Sequence, residues 1–139
     1  MADQADPEVV ESVPVAFLFA DRVLTEEGNK KKTIVGAFSR FYAQNFPAVF
    51  APWFVYIAFT NVLGKHPFSM YLVREKEQQF IYTLNGEFAT ESKSAVIEMV
   101  FVVANAVFPA AGDYVFTFTI DGKPAMTRIL EVRPTGAPT

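Results

Sequence analysis

The sequence predicts an all-β domain, a two-sheet antiparallel sandwich of seven to nine strands. Three observations predict it. Runs of residues alternate apolar and polar with a period of two, the pattern of strands with one buried face. Turn-forming residues break those runs at short intervals, with no helical pattern between them. Fifteen of the 139 residues are Phe, which favours strands and supplies large buried area.

Residues 1–12 read as a flexible acidic lead-in, residues 13–133 as the domain, and residues 134–139 as a loose tail. The first strand is expected over Val13 to Leu24, with Val13, Val15, Phe17 and Phe19 on one face. The polar segment Thr25 to Lys32 connects it to a second strand, Thr33 to Tyr42, with Gly36 at a bulge. Gln44 to Pro52 is an irregular crossing, broken by Pro47 and Pro52. Trp53 to Asn61 is apolar on both faces, so that strand is central or covered on both sides. A turn is expected at Gly64 to Pro67, then a strand from Phe68 to Arg74 with Phe68, Met70 and Leu72 inward. Past a charged hairpin tip, Phe80, Tyr82 and Leu84 form the next inward row, and Asn85-Gly86 signals a turn. Ala95 to Phe108 has the length of a buried helix, but its Val and Ile content favours a strand. Tyr114, Phe116, Phe118 and Ile120 alternate most clearly, and Asp121-Gly122 makes a tight hairpin into Met126 to Arg133.

The segment Phe108-Pro109-Ala110-Ala111-Gly112-Asp113-Tyr114 carries a glycine turn into a strand that starts with tyrosine. This is similar to the tyrosine corner of immunoglobulin-like sandwiches, in which the hydroxyl bonds upstream backbone. Gly112 and Tyr114 are therefore expected to be structural, and the sandwich Ig-like in a loose sense, since the usual disulfide has no cysteines to form it.

The whole chain also resembles a family of small, uncharacterised bacterial β-sandwich proteins, a domain of unknown function. The resemblance rests on Ala20-Asp21-Arg22-Val23, Gly28, Lys31 to Phe38, Phe46-Pro47 and the Phe108 to Tyr114 corner, and covers roughly Pro14 to Val132. It implies a β-sandwich in a bacterial intracellular setting and no activity.

Composition excludes several function classes. A net charge of −3 argues against a nucleic-acid partner, which needs a basic face. With no cysteine there are no disulfides, thiolate ligands or cysteine nucleophile. The apolar stretches Pro47 to Phe59 and Ala95 to Phe108 fall short of the ~18–20 residues that span a bilayer. The acidic start has no apolar signal segment, so a cytoplasmic protein is expected. His66 is the single histidine, which rules out multi-histidine metal sites, and its surroundings read as an exposed loop. The pairs Glu75 with Glu77 and Glu87 with Glu91 could mimic a glycosidase pair, but solvated turns explain them better. Lys30 to Lys32, beside Glu26 and Glu27, reads as a solubilising loop. No cofactor or metal is expected.

The remaining signal is aromatic. Phe41, Tyr42, Phe46, Phe50, Trp53 and Phe54 cluster in a proline-broken stretch where not every ring can point inward. An exposed ring there would serve as a partner or ligand surface. The expected function is a non-catalytic structural or interaction module, oligomeric or an accessory subunit, with a protein partner or a second copy. The alternative is a small-molecule or carbohydrate-binding sandwich that stacks ligand on Trp53, Tyr42, Tyr56 or Tyr71. An enzyme, such as a carboxylate-based hydrolase, ranks last.

Overall fold

The computed structural model describes residues 11–136. Most of the lead-in and the last residues of the tail lie outside that range. The described residues form eleven strands and no helix. These are β1 (Val13–Thr25), β2 (Lys32–Phe38), β3 (Arg40–Ala43), β4 (Ala48–Val49), β5 (Trp53–Thr60) and β6 (Gly64–Arg74). They continue with β7 (Gln79–Thr90), β8 (Ile97–Val103), β9 (Val107–Phe108), β10 (Gly112–Ile120) and β11 (Lys123–Pro134). One sheet has five strands in the order β3-β11-β10-β6-β7, and another has four in the order β2-β1-β5-β8. The two-residue strands β4 and β9 pair with each other.

The period-two alternation fixes which side chains meet. On β10, Tyr114, Phe116 and Phe118 are fully buried, and Leu72, Met70 and Leu130 on neighbouring strands join them. The four-stranded sheet contributes Phe19, Trp53, Val55, Ile57, Phe59 and Val103 to the same cluster. Rings from the two sheets meet directly. Phe116 lies 5.7 Å from Phe19 and 6.1 Å from Trp53, and Phe118 lies 5.4 Å from Phe59. β5 runs between β1 and β8; on its second face Ala58 is fully buried while Phe54 and Tyr56 are half-buried.

The chain changes sheets at Ser39. β2 pairs with β1 from Thr25 back to Phe19, whereas β3 pairs with β11. A single strand from Thr33 to Tyr42 is thus corrected to two, and the strand count rises above nine for this reason and because of β4 and β9. The β3–β11 pair is parallel, so the antiparallel rule expected for the whole protein fails at one ladder. Among the described residues, Val13 to Leu18 of β1 pairs with β5 alone. Arg128 of β11 covers that side: it donates to the carbonyl of Phe17 and sits 5.0 Å from the centre of the Phe19 ring.

Other expectations are corrected locally. Val13 and Val15 are exposed, because the register shifts between Pro14 and Ala16 and breaks their row with Phe17 and Phe19. Gly36 is no bulge: the β1–β2 register is continuous across it. It adopts φ +69°, and a Cβ there would lie 2.3 Å from the Asp21 carboxylate. Gly64 to Pro67 is strand rather than turn. Asn85-Gly86 is strand as well, inside the continuous β7. Gly86 faces Phe68 across the ladder, and a Cβ there would come within 2.7 Å of the Phe68 ring. The glycine makes room for a ring instead of making a turn. A register shift between Leu72 and Val73 carries Phe80 out of its expected inward row, and it is 61% exposed.

Candidate functional site

Each of the two larger sheets ends in two strands that have one neighbour among the described residues. Such edges present unpaired backbone groups, and proteins blunt them with short strands, charges, Pro, kinks or bulges. Three of the four carry such a device. β3 is four residues long and begins with Arg40, which is ion-paired to Glu131 at 3.0 Å. β2 holds Gly36 in its left-handed conformation. β7 contains the register shift, Gly86, and Glu87 paired to Lys65 at 3.4 Å.

β8 is the least protected: it is neither short nor kinked, and it carries one charge, Glu98. Its sequence, Ile97-Glu98-Met99-Val100-Phe101-Val102-Val103, contains no Gly or Pro and pairs with β5 in unbroken register. Its single charge is already engaged, since the Tyr56 hydroxyl donates to Glu98. Burial, and then this bond, push the Tyr56 pKa up to about 12, so the hydroxyl keeps its proton. Val96 beside the strand and Val102 on it are 55% and 50% exposed. The result is a seven-residue edge of high β propensity, apolar except for Glu98, with no kink, break or proline.

The aromatic stretch singled out in the sequence is placed differently. Phe41 stacks on Phe50 at 4.0 Å and meets the edge of Trp53 at 5.3 Å. Phe41, Phe46 and Phe50 pack against the core, Trp53 is buried within it, and Phe54 is half-buried. Tyr42 alone of the six is exposed, and its hydroxyl accepts from Arg40. The crossing is irregular in backbone, but its rings satisfy one another and leave no aromatic patch. Tyr42, Trp53, Tyr56 and Tyr71 likewise share no surface: Trp53 is core, while Tyr56 and Tyr71 belong to different sheets. What sequence reasoning missed is Tyr71 stacked on Phe80 at 5.5 Å and 17°. Only the cross-strand register, invisible locally, brings those two together.

At the corner, Gly112 has φ +149°, and Tyr114 is fully buried. The Tyr114 hydroxyl donates to the carbonyl of Ala110, and its ring meets Phe108 edge-on at 5.0 Å.

His66 is tied on both sides. Nδ1 lies 2.8 Å from the Asp121 carboxylate and Nε2 lies 2.8 Å from the Leu63 carbonyl. Both partners are acceptors, so the doubly protonated ring satisfies both bonds and leaves no nitrogen to act as a base. The bond to Leu63 raises the His66 pKa, burial opposes the rise, and Asp121 adds to it. The folded value therefore lies above the ~6.5 of an unfolded chain. This contribution to stability is full below about pH 6.5 and is lost as pH rises through the folded value. Replacing His66 with Gln should lower the melting temperature more at about pH 5.5 than at about pH 8.5. Equal losses at both pH values would refute the charged-ring assignment.

The model of a family of unknown function, DUF6941, matches residues 15–133. That span runs from within β1 to one residue short of the end of β11 and takes in both larger sheets. The chain belongs to the DUF6941 family. No curated protein matches it.

In this DUF6941 chain one depression, of about 590 Å³, lies where the β1–β2 connection approaches the Tyr56–Glu98 pair. Asn29, Lys30, Lys31, Lys32 and Ile34 complete its lining. Its polar groups are largely used locally. Asn29 accepts from the Lys31 backbone at 2.9 Å and donates to Glu26, and Lys32 donates to Thr25 at 2.8 Å. Among the described residues of this DUF6941 member, no cluster of three or more His, Cys, Asp or Glu could hold a metal, and no helix is long and apolar enough to cross a membrane.

Proposed function

We propose that this chain is a non-catalytic interaction module, a loosely Ig-like two-sheet sandwich that assembles with copies of itself in the cytoplasm. The observation that carries the reading is the edge of β8, which has one strand neighbour among the described residues and a single charge, Glu98, as protection. The Tyr114 corner and the shared aromatic core between the sheets support the Ig-like sandwich. The single histidine, with both ring nitrogens engaged, and the lack of cysteine support a non-catalytic role. Sedimentation velocity over a range of concentrations tests the reading. Reversible association at micromolar concentration is expected, and a strict monomer at about 100 µM would sink it.

The Tyr71–Phe80 stack favours a second reading, a sugar-stacking surface, because Phe80 is mostly exposed beside a parallel ring. Titration with short oligosaccharides, followed by NMR of the Tyr71 ring, tests it. A saturable shift that disappears in Phe80→Ala supports it; no shift at millimolar sugar dismisses it.

A further inference from the structure

The geometry points to one arrangement for that self-association, and it rests on the reading just proposed: β8 of one copy pairs antiparallel with β8 of a second across a two-fold axis through Val100. A two-fold normal to the sheet keeps the inner faces of both copies on the same side, so residues of equal parity lie opposite each other. Val100 is the midpoint of Ile97–Val103. Centring there pairs all seven residues, whereas centring on Met99 or Phe101 leaves two residues of each strand unpaired.

The side chains fit this register. Ile97 comes opposite Val103 and Met99 opposite Phe101 on the core side. Glu98 comes opposite Val102, and Val100 opposite itself, on the outer side. Every apolar pair joins residues that favour strands or pack as large hydrophobes, the kind of cross-strand contact that stabilises a ladder. The two Glu98 carboxylates stay apart; only a register centred on Glu98 would bring like charges together. The half-exposed Val102 gains cover, and Glu98 keeps its bond to Tyr56 within its own sheet. The two four-stranded sheets become one eight-stranded sheet, with both β8 edges paired. A second copy is the occupant that matches this strand in length and chemistry, and that leaves no charge facing a charge.

The chain has no cysteine, so single substitutions report the register without background. Wild-type protein is first sized by sedimentation velocity. Val100→Cys, Glu98→Cys, Val102→Cys and the exposed control Leu24→Cys are then oxidised with diamide, each with its fold checked by circular dichroism. Thiols held directly opposite each other experience a millimolar or higher effective concentration, so Val100→Cys should cross-link at least about tenfold faster than Leu24→Cys. A mixture of Glu98→Cys and Val102→Cys should cross-link faster than either variant alone. If the wild type is dimeric but Val100→Cys links no faster than the control, the arrangement is wrong while self-association stands. If Val102→Cys alone outpaces the mixture, the register is wrong. If the wild type is monomeric at about 100 µM, the arrangement and the reading beneath it both fall.

Discussion

Replacing Phe116 with alanine is expected to lower the unfolding free energy by about 3–5 kcal/mol, because a buried ring is lost and the core closes only in part around the gap. Phe116 is fully buried, and rings from both sheets meet it: Phe17, Phe19 and Trp53 from one, Tyr82 from the other. Domains hold only about 5–15 kcal/mol in total, so such a loss would leave a large unfolded fraction at moderate temperature. The lone tryptophan, Trp53, is buried 6.1 Å from Phe116 and reports the urea transition by its fluorescence. Phe80→Ala is the contrast. The same residue type, 61% exposed, should shift stability by no more than about 0.5 kcal/mol. Similar losses for the two variants would refute the assignment of Phe116 to the junction of the sheets.

Arg128→Met should lower stability by about 2 kcal/mol, the second largest effect expected from a single change. The methionine keeps the apolar stem but loses two interactions. One is the bond to the Phe17 carbonyl, on the part of β1 that has no second strand neighbour among the described residues. The other is the guanidinium placed over the Phe19 ring. Arg22→Met removes an exposed charge from the same strand as Phe17 and should change the urea midpoint little. A loss at Arg128 no larger than at Arg22 would show that the two sheets hold together there without it.

The all-β class was legible because side-chain alternation is a local property. β10 is the clearest case: Tyr114, Phe116 and Phe118 are buried in the order the sequence implies. The segment from Ala95 to Phe108 was legible as strand rather than helix, since Val and Ile suit a pleated surface, but its break at Asn105 into Ile97–Val103 and Val107–Phe108 of different sheets was not. Features decided across the fold were not legible. Asn85-Gly86 reads as a turn by local chemistry, yet the space that Phe68 needs, 18 positions earlier, makes it strand. His66 reads as a loop residue until Asp121, 55 positions away, is placed beside it. The candidate site belongs to this second kind. The composition of β8 can be read from sequence, but its position at the end of a sheet cannot, and that position is what gives the strand its interest. The aromatic stretch misled for the same reason, as its backbone irregularity said nothing about where the rings would find one another.

The switch of sheets at Ser39 also has a consequence during synthesis. Among the described residues β3 has one neighbour, β11, and the pairing of Arg40 with Glu131 joins positions 91 residues apart. A ribosome adding about 5–20 residues per second therefore holds β3 without its partner for roughly 5–18 seconds. Through that interval Phe41, whose place depends on β3 being docked, has no completed sheet behind it. The nascent chain thus passes through a stage in which the Phe41 segment is made but undocked, and that stage closes only when the last strand is complete.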